Sequence, residues 1–229
     1  MNIFTKVAAI SVTSLRLAFS ASAQTSIETQ KSITPKAVLS ELLEGNKRYM
    51  KGDVTSPEIL KRIEATTKGQ HPKAVTLSCL DSRVPVEIVF DQGIGDLFVG
   101  RVAGNVENVD QLRSMEFATK LAGSKLVMVL GHTACGAVKG ACDHAEMGNL
   151  TALLAKIKPA VEAVKGHEEK GRNSKNIEFV NDVVEANVRQ TVSDIRERSK
   201  VLADLEKSGD IMIVGAVYDL HTGGVTLLK

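Results

Sequence analysis

Two short segments carry side chains whose types and spacing suit metal chemistry. Cys79-Leu80-Asp81-Ser82-Arg83 sets a thiol, a carboxylate and a guanidinium at alternate positions, and Gly131-His132-Thr133-Ala134-Cys135-Gly136 sets an imidazole three residues before a second thiol. Two thiolates and an imidazole form the mixed sulfur and nitrogen set that zinc prefers, and three protein ligands leave a fourth tetrahedral position for water. His132 and Cys135, three apart at a helix entry, can face one point. Singly, each residue has a plainer use: Cys79 as a small buried hydrophobe at a strand end, His132 as a capping or core histidine. Jointly, at two neighbouring strand ends, they point to a metal. Asp81 is open to two uses, as fourth zinc ligand or as acceptor of a proton from zinc-bound water. Arg83 would decide between them by pairing with the carboxylate and holding it off the metal. Without a metal, the same two residues would read as an ion pair closing a turn.

The elements that must position these segments read as an alternating α/β chain. Thr34-Pro35 followed by Val38, Leu39, Leu42, Leu43 and Tyr49 predicts a capped amphipathic helix ending near Gly52. Ser56-Pro57 opens a second helix towards Gly69. Apolar, β-branched runs at 74–77, 97–99, 126–130 and 211–214 lack strict alternation, as suits strands covered on both faces of a parallel sheet. Helical patterns lie between them, notably at 111–121 and 177–198, and 224–228 reads as a hairpin return beside the last strand. The polar stretch 165–175 reads as a solvated loop, with His167 exposed beside Glu168 and Glu169. In an open α/β sheet, sites form at the carboxyl ends of strands. Both ligand segments stand there, one after the first strand and one after the third.

The chain has 229 residues, 43% hydrophobic and 24% charged, with a net charge of +2 and no Trp. That composition supports an apolar core and argues against base-stacking platforms or a broad basic face, so nucleic acid is not an expected partner. Residues 1–23 combine Lys6, a short apolar run and Ala21-Ser22-Ala23, the parts of a cleaved signal peptide; the run is too short to span a bilayer, so no membrane partner is expected. This predicts a mature chain over 24–229 in the periplasm, with an organellar transit peptide as the alternative. Cys79, Cys135 and Cys142 are too few, and odd in number, for a disulfide framework. Cys142, seven residues after Cys135, reads as a packed core thiol. No ligand partner lies near His71, His144, His167 or His221.

The segments 79–85, 95–105 (Gly-Asp-Leu-Phe-Val-Gly-Arg-Val-Ala-Gly-Asn) and 131–136 resemble those of the β-class carbonic anhydrases, in their exported bacterial form. The likeness runs from the 42–49 helix to Val217-Tyr218-Asp219-Leu220-His221-Thr222-Gly223. It implies a mostly parallel sheet flanked by helices with an N-terminal helical arm, and reversible CO2 hydration. One Zn2+ per subunit would be held by Cys79, His132 and Cys135, with Asp81 and Arg83 as the catalytic dyad. Gln70 matches a glutamine that donates a hydrogen bond to substrate across the subunit interface, and Gly136 a glycine whose backbone lies along the pocket. Phe98 and Ala103 fall where the family lines its CO2 site, and Phe117 where some members carry tyrosine. Arg101 and Tyr218 match two positions of a regulatory bicarbonate pocket, and Thr76 stands at the third, where the family has tryptophan. The resemblance also implies a homodimer or homotetramer, the first long helix reaching over the partner.

Two thiolates cancel the double charge of zinc, so the bound water should be less acidic than at a three-histidine site and activity should climb from neutral to alkaline pH. Two rivals share the cluster: hydrolysis of a CO2 analogue such as carbonyl sulfide or carbon disulfide, and a non-catalytic zinc site for structure or sensing.

Overall fold

Strand order in the sheet explains where the ligand segments meet. The computed structural model describes residues 25–55 and 58–229; the leader over 1–23 and the Ser56-Pro57 helix start lie outside them. The chain runs through helices α1 (Ile27–Ser32), α2 (Pro35–Lys51) and α3 (Ile59–Thr66), strand β1 (Ala74–Ser78), helix α4 (Val86–Val89) and strand β2 (Leu97–Arg101). Then follow α5 (Val109–Glu116), β3 (Leu126–His132), α6 (Gly136–Cys142), α7 (Gly148–Ala155), α8 (Lys158–Ala163), α9 (Ile177–Arg198), α10 (Lys200–Ser208), β4 (Met212–Tyr218) and β5 (Val225–Leu227). The order across the sheet is β2-β1-β3-β4-β5, with four parallel strands and β5 antiparallel to β4. The chain leaves β1 in one direction for β2 and returns past it to β3. Connections therefore diverge at the carboxyl ends of β1 and β3, the crevice where open α/β sheets place their sites.

The two faces of the sheet bury alternate residues. Val75, Leu77, Val127 and Val129 pack with Leu112 and Met115 of α5 and with Val188, Val192 and Ile195 of α9. On the opposite face, Ala74, Leu126, Met128 and Leu130 pack with Val38 and Leu42 of α2 and with Val86 and Val89 of α4. Val38 and Leu42 are fully buried, which contributes about 1.5–3 kcal/mol each. The α2 ends are as the sequence predicts: the Thr34 hydroxyl accepts the Ala37 N–H, and Gly52 closes the helix in the left-handed region at φ 69°. Asn46, buried on this helix, donates to the carbonyls of Val89 and Gly223 and accepts from Val225 N–H, tying α2 to the β4–β5 hairpin.

Several expectations shift in detail. The fourth strand runs on to Tyr218, and the 111–121 helix starts at Val109 and loosens into a π-helical turn over Phe117–Leu121. The 165–175 loop is mostly exposed, but His167 is not a free surface residue. Its Nε2 lies 2.8 Å from an Asp182 carboxylate oxygen and its ring packs edge-on against Phe179. The partner stands on α9, fifteen residues along, and the adjacent glutamates play no part. No helix among the described residues is long and apolar enough to cross a membrane.

Candidate metal centre

The carboxyl ends of β1 and β3 bring three ligand atoms together. Ser78 pairs with Leu130 in the register, so Cys79 leaves β1 level with Gly131, one residue before His132 closes β3. Ala134 then turns the chain at φ 56°, and Cys135 caps the entry to α6. The donor atoms of Cys79, His132 and Cys135 lie within 4.8 Å of one another, and all three residues are buried. They are the only such group among the described residues.

The donor set fits zinc. Two sulfurs about 2.3 Å from one ion at a tetrahedral angle lie about 3.8 Å apart; Cys79 Sγ and Cys135 Sγ are 3.9 Å apart. His132 Nδ1 lies 3.0 Å from the Thr133 carbonyl, which can only accept, so the proton sits on Nδ1. Nε2 therefore keeps its lone pair; it is fully buried and has no hydrogen-bond partner. A buried lone pair without a protein partner is what a metal-ligating imidazole presents.

Charge is arranged to match. A hydrogen bond from the Cys135 thiol, with help from the His132 imidazole and more weakly from the Asp81 and Gly104 N–H groups, draws the Cys79 thiol down against the opposing effect of burial. Cys135, which keeps its proton to last beside that thiolate, is pushed up by the same hydrogen bond and by burial. The N–H groups of Ala137 and Val138 in the first turn of α6 pull the other way. Binding of a metal by both sulfurs would release the thiol protons.

Asp81 stands beside the cluster and is turned to Arg83. Arg83 donates Nε–H to Oδ1 at 2.9 Å and Nη2–H to Oδ2 at 2.7 Å, and its backbone N–H adds a third bond to Oδ1 at 2.9 Å. This forked pair holds the Asp81 carboxyl well below the usual carboxylate range. Asp81 Oδ2 nevertheless lies 3.7 Å from His132 Nε2, at the edge of the cluster. Arg101 clamps the loop from β2 by donating to the carbonyls of Cys79 and Asp81.

The remaining sequence-predicted residues divide into two groups. Ala103 precedes Gly104 beside the Cys79 sulfur, and Gly136 stands exposed at the start of α6 next to Cys135. Gln70 and Phe98 lie elsewhere in the same chain. Gln70 is exposed before β1, at the opposite end of that strand from Cys79, and Phe98 pairs with Val75, four residues short of Cys79. Phe98 lines a cavity of about 600 Å³ along the edge strand β2 with Gly100, Gln111 and Phe117, its ring set edge-on to Phe117. Thr76 is fully buried with its hydroxyl unpartnered, and the Tyr218 hydroxyl meets that of Tyr49 at 3.1 Å. Cys142 is packed in the core around α6 to α9, its thiol pushed up to about 11 by burial. The sequence reading missed Asn181 and Asn187 of α9, which reach the ligand loops. An asparagine amid the buried valines of an amphipathic helix is the one signal that could have marked Asn187.

Comparison with known proteins agrees with this geometry. The family model described as carbonic anhydrase matches residues 74–225. The protein named carbonic anhydrase 2 of Mycobacterium tuberculosis is 35% identical over 194 residues, which cover 84% of this chain and 92% of that one. The carbonic anhydrase of Mycolicibacterium smegmatis is 36% identical over 84% and 93%. Among solved structures, a β-carbonic anhydrase of Aspergillus fumigatus superimposes with a TM-score of 0.64 at 22% identity, covering 85% of this chain and 90% of that one. One of two tetrameric β-carbonic anhydrases of Sordaria macrospora gives 0.63 at 20%, covering 85% and 95%. At these identities the structures establish a common fold.

Proposed function

This chain belongs to the carbonic anhydrase family, and on that premise we propose that it catalyses the reversible hydration of carbon dioxide to bicarbonate and a proton as a zinc-dependent lyase. One observation carries the reading: a three-ligand cluster stands beside a carboxylate that Arg83 holds away from it. A site built for structure alone would complete its sphere with a fourth protein ligand.

Cys79, Cys135 and His132 Nε2 would hold the zinc. When bound, that ion supplies the Lewis acidity that makes water nucleophilic near neutral pH. The chain's own residues do the rest. Asp81, ionised by its pairing with Arg83, faces the cluster with lone pairs that can accept a hydrogen bond from the attacking water and aim its oxygen at the carbon. Arg83 keeps that carboxylate charged and off the ligand position. Ala103 and the bare Gly136 backbone leave room at the cluster for a small uncharged substrate.

Gln70 and Phe98 serve the site of a second copy. The five-residue strand β1 separates Gln70 from Cys79, a span of about 17 Å that no side chain covers. The unpaired edge of β2, with Phe117 53% exposed beside it, supports a homodimer or larger assembly joined there. The pattern of residues 1–23 supports export to the periplasm. A mature mass beginning near Gln24 in the periplasmic fraction is expected; a full-length cytosolic product would contradict export.

The activity is tested by stopped-flow CO2 hydration on zinc-loaded protein, with carbonyl sulfide hydrolysis measured in parallel. We expect CO2 hydration that chelation abolishes and zinc restores. Zinc-loaded protein that leaves CO2 untouched, or that turns over carbonyl sulfide in preference, overturns the proposal.

A further inference from the structure

Helix α9 contributes no metal ligand, yet two of its asparagines grip the two loops that close on the cluster. Asn187 is buried among valines and donates its Nδ2–H to the Gly104 carbonyl at 2.8 Å. Gly104 sits in the left-handed region at φ 71°, and its N–H points to Cys79 Sγ at 3.4 Å. The same residue is wedged from behind: a Cβ there would stand 2.6 Å from Ile157 Cδ1. Asn181 accepts the Ala134 N–H on Oδ1 at 2.9 Å. Ala134 lies between His132 and Cys135 and holds a positive φ that a residue with a Cβ rarely adopts. That turn is what points imidazole and thiol at one place. The Asn187 amide on an apolar helix face is costly to bury unless it is bonded, and both amides bond a backbone group beside a ligand.

We propose that Asn187 and Asn181 are positioning residues for the metal ligands, so that α9 sets the sulfur and imidazole geometry through Gly104 and Ala134. The inference rests on the metal reading of the cluster and is independent of which substrate is turned over. The two amides act in opposite senses: Asn187 must donate and Asn181 must accept. Aspartate should therefore serve at 181 and fail at 187, and the cobalt spectrum, which a merely structural role would not move, reports whether that failure reaches the ligands.

The test uses the full chain. Zinc affinity is read by competition with a chromophoric chelator, and ligand geometry from the thiolate-to-cobalt charge-transfer band of the cobalt(II)-substituted protein. Asn187→Leu and Asn181→Leu should weaken zinc binding 10–100-fold, the usual effect of removing groups that orient ligands, and should alter the cobalt band. Asn181→Asp should stay within twofold of wild type with an unchanged band, whereas Asn187→Asp should weaken binding as Asn187→Leu does. If neither variant at 187 folds, the Asn181→Leu and Asn181→Asp pair decides alone. Leucine variants that bind zinc within twofold of wild type overturn the inference. Wild-type protein that binds no zinc overturns the metal reading instead.

Discussion

Replacing Gly131 by alanine strikes the seam between the sheet and the helix that backs the metal centre. A Cβ at this position would stand 2.6 Å from Val188 Cγ2 and 3.2 Å from Val184 Cγ1, both on α9. Relaxed carbon contacts lie at about 3.5–4.0 Å, so helix or strand must yield by about 1 Å. Val188 is also packed over the next strand: its other methyl, Cγ1, stands 2.7 Å from where a Cβ on Gly215 would be. One valine thus straddles glycines on neighbouring strands β3 and β4, and a β-branched side chain in a helix has essentially one χ1 well. Overpacking of this kind costs about 1–3 kcal/mol. For a chain of this length, about 2 kcal/mol lowers Tm by about 4–8 °C. The assay is chemical unfolding of the metal-free protein followed by circular dichroism, run on Gly131→Ala, Val188→Ala and the double variant. Val188→Ala alone opens a cavity, but in the double variant it makes room for the new methyl. The pair should be less destabilised than the sum of its parts by at least about 1 kcal/mol. Gly131→Ala unfolding within about 0.5 kcal/mol of wild type, or strict additivity in the cycle, would refute the close-packed seam.

Other expectations follow from the site. Arg83→Ala should leave zinc bound but abolish CO2 hydration, because Asp81, 3.7 Å from His132 Nε2, is then free to close on the metal position; full activity would remove the gating role. Cys79→Ala should lose zinc on metal analysis, whereas Cys142→Ala, which alters only a core thiol, should retain it. The Asp81 carboxyl is held low by Arg83, so its contribution to stability is complete above the ordinary carboxylate range, declines as acid carries the pH down through that range, and is gone below the depressed value. Asp81 therefore stays charged throughout the neutral range, and the rate should climb from neutral to alkaline pH because two thiolates leave the metal's water less acidic. A profile that is flat or falling there would contradict the charge argument.

What could be read from the sequence was local. Cys79, Asp81 and Arg83 fall within one turn of chain, as do His132 and Cys135, so their spacing alone exposes the chemistry. The strands and the helix Ile177–Arg198 were legible because long apolar runs and an amphipathic period repeat over many residues. The supporting contacts were not legible, because they join distant parts of the chain. Asn187 reaches Gly104 across 83 residues and Asn181 reaches Ala134 across 47. His167 was misread for the same reason: its neighbours Glu168 and Glu169 suggested solvent, while the side chain turns to Asp182 on a packed helix. The turn over Phe117–Leu121 departs from regular helix where the chain must leave α5 for β3, and no propensity marks it. Gln70 and Phe98 show the furthest limit, since the roles proposed for them would need a second chain.

The most direct test of the account is zinc K-edge X-ray absorption on the purified protein at neutral pH. Two sulfur scatterers at about 2.3 Å and two lighter ones at about 2.0–2.1 Å, one of them exchangeable with small anions, are the predicted sphere. A shell of oxygen and nitrogen without sulfur, or a sphere closed by four non-exchangeable protein ligands, would contradict it.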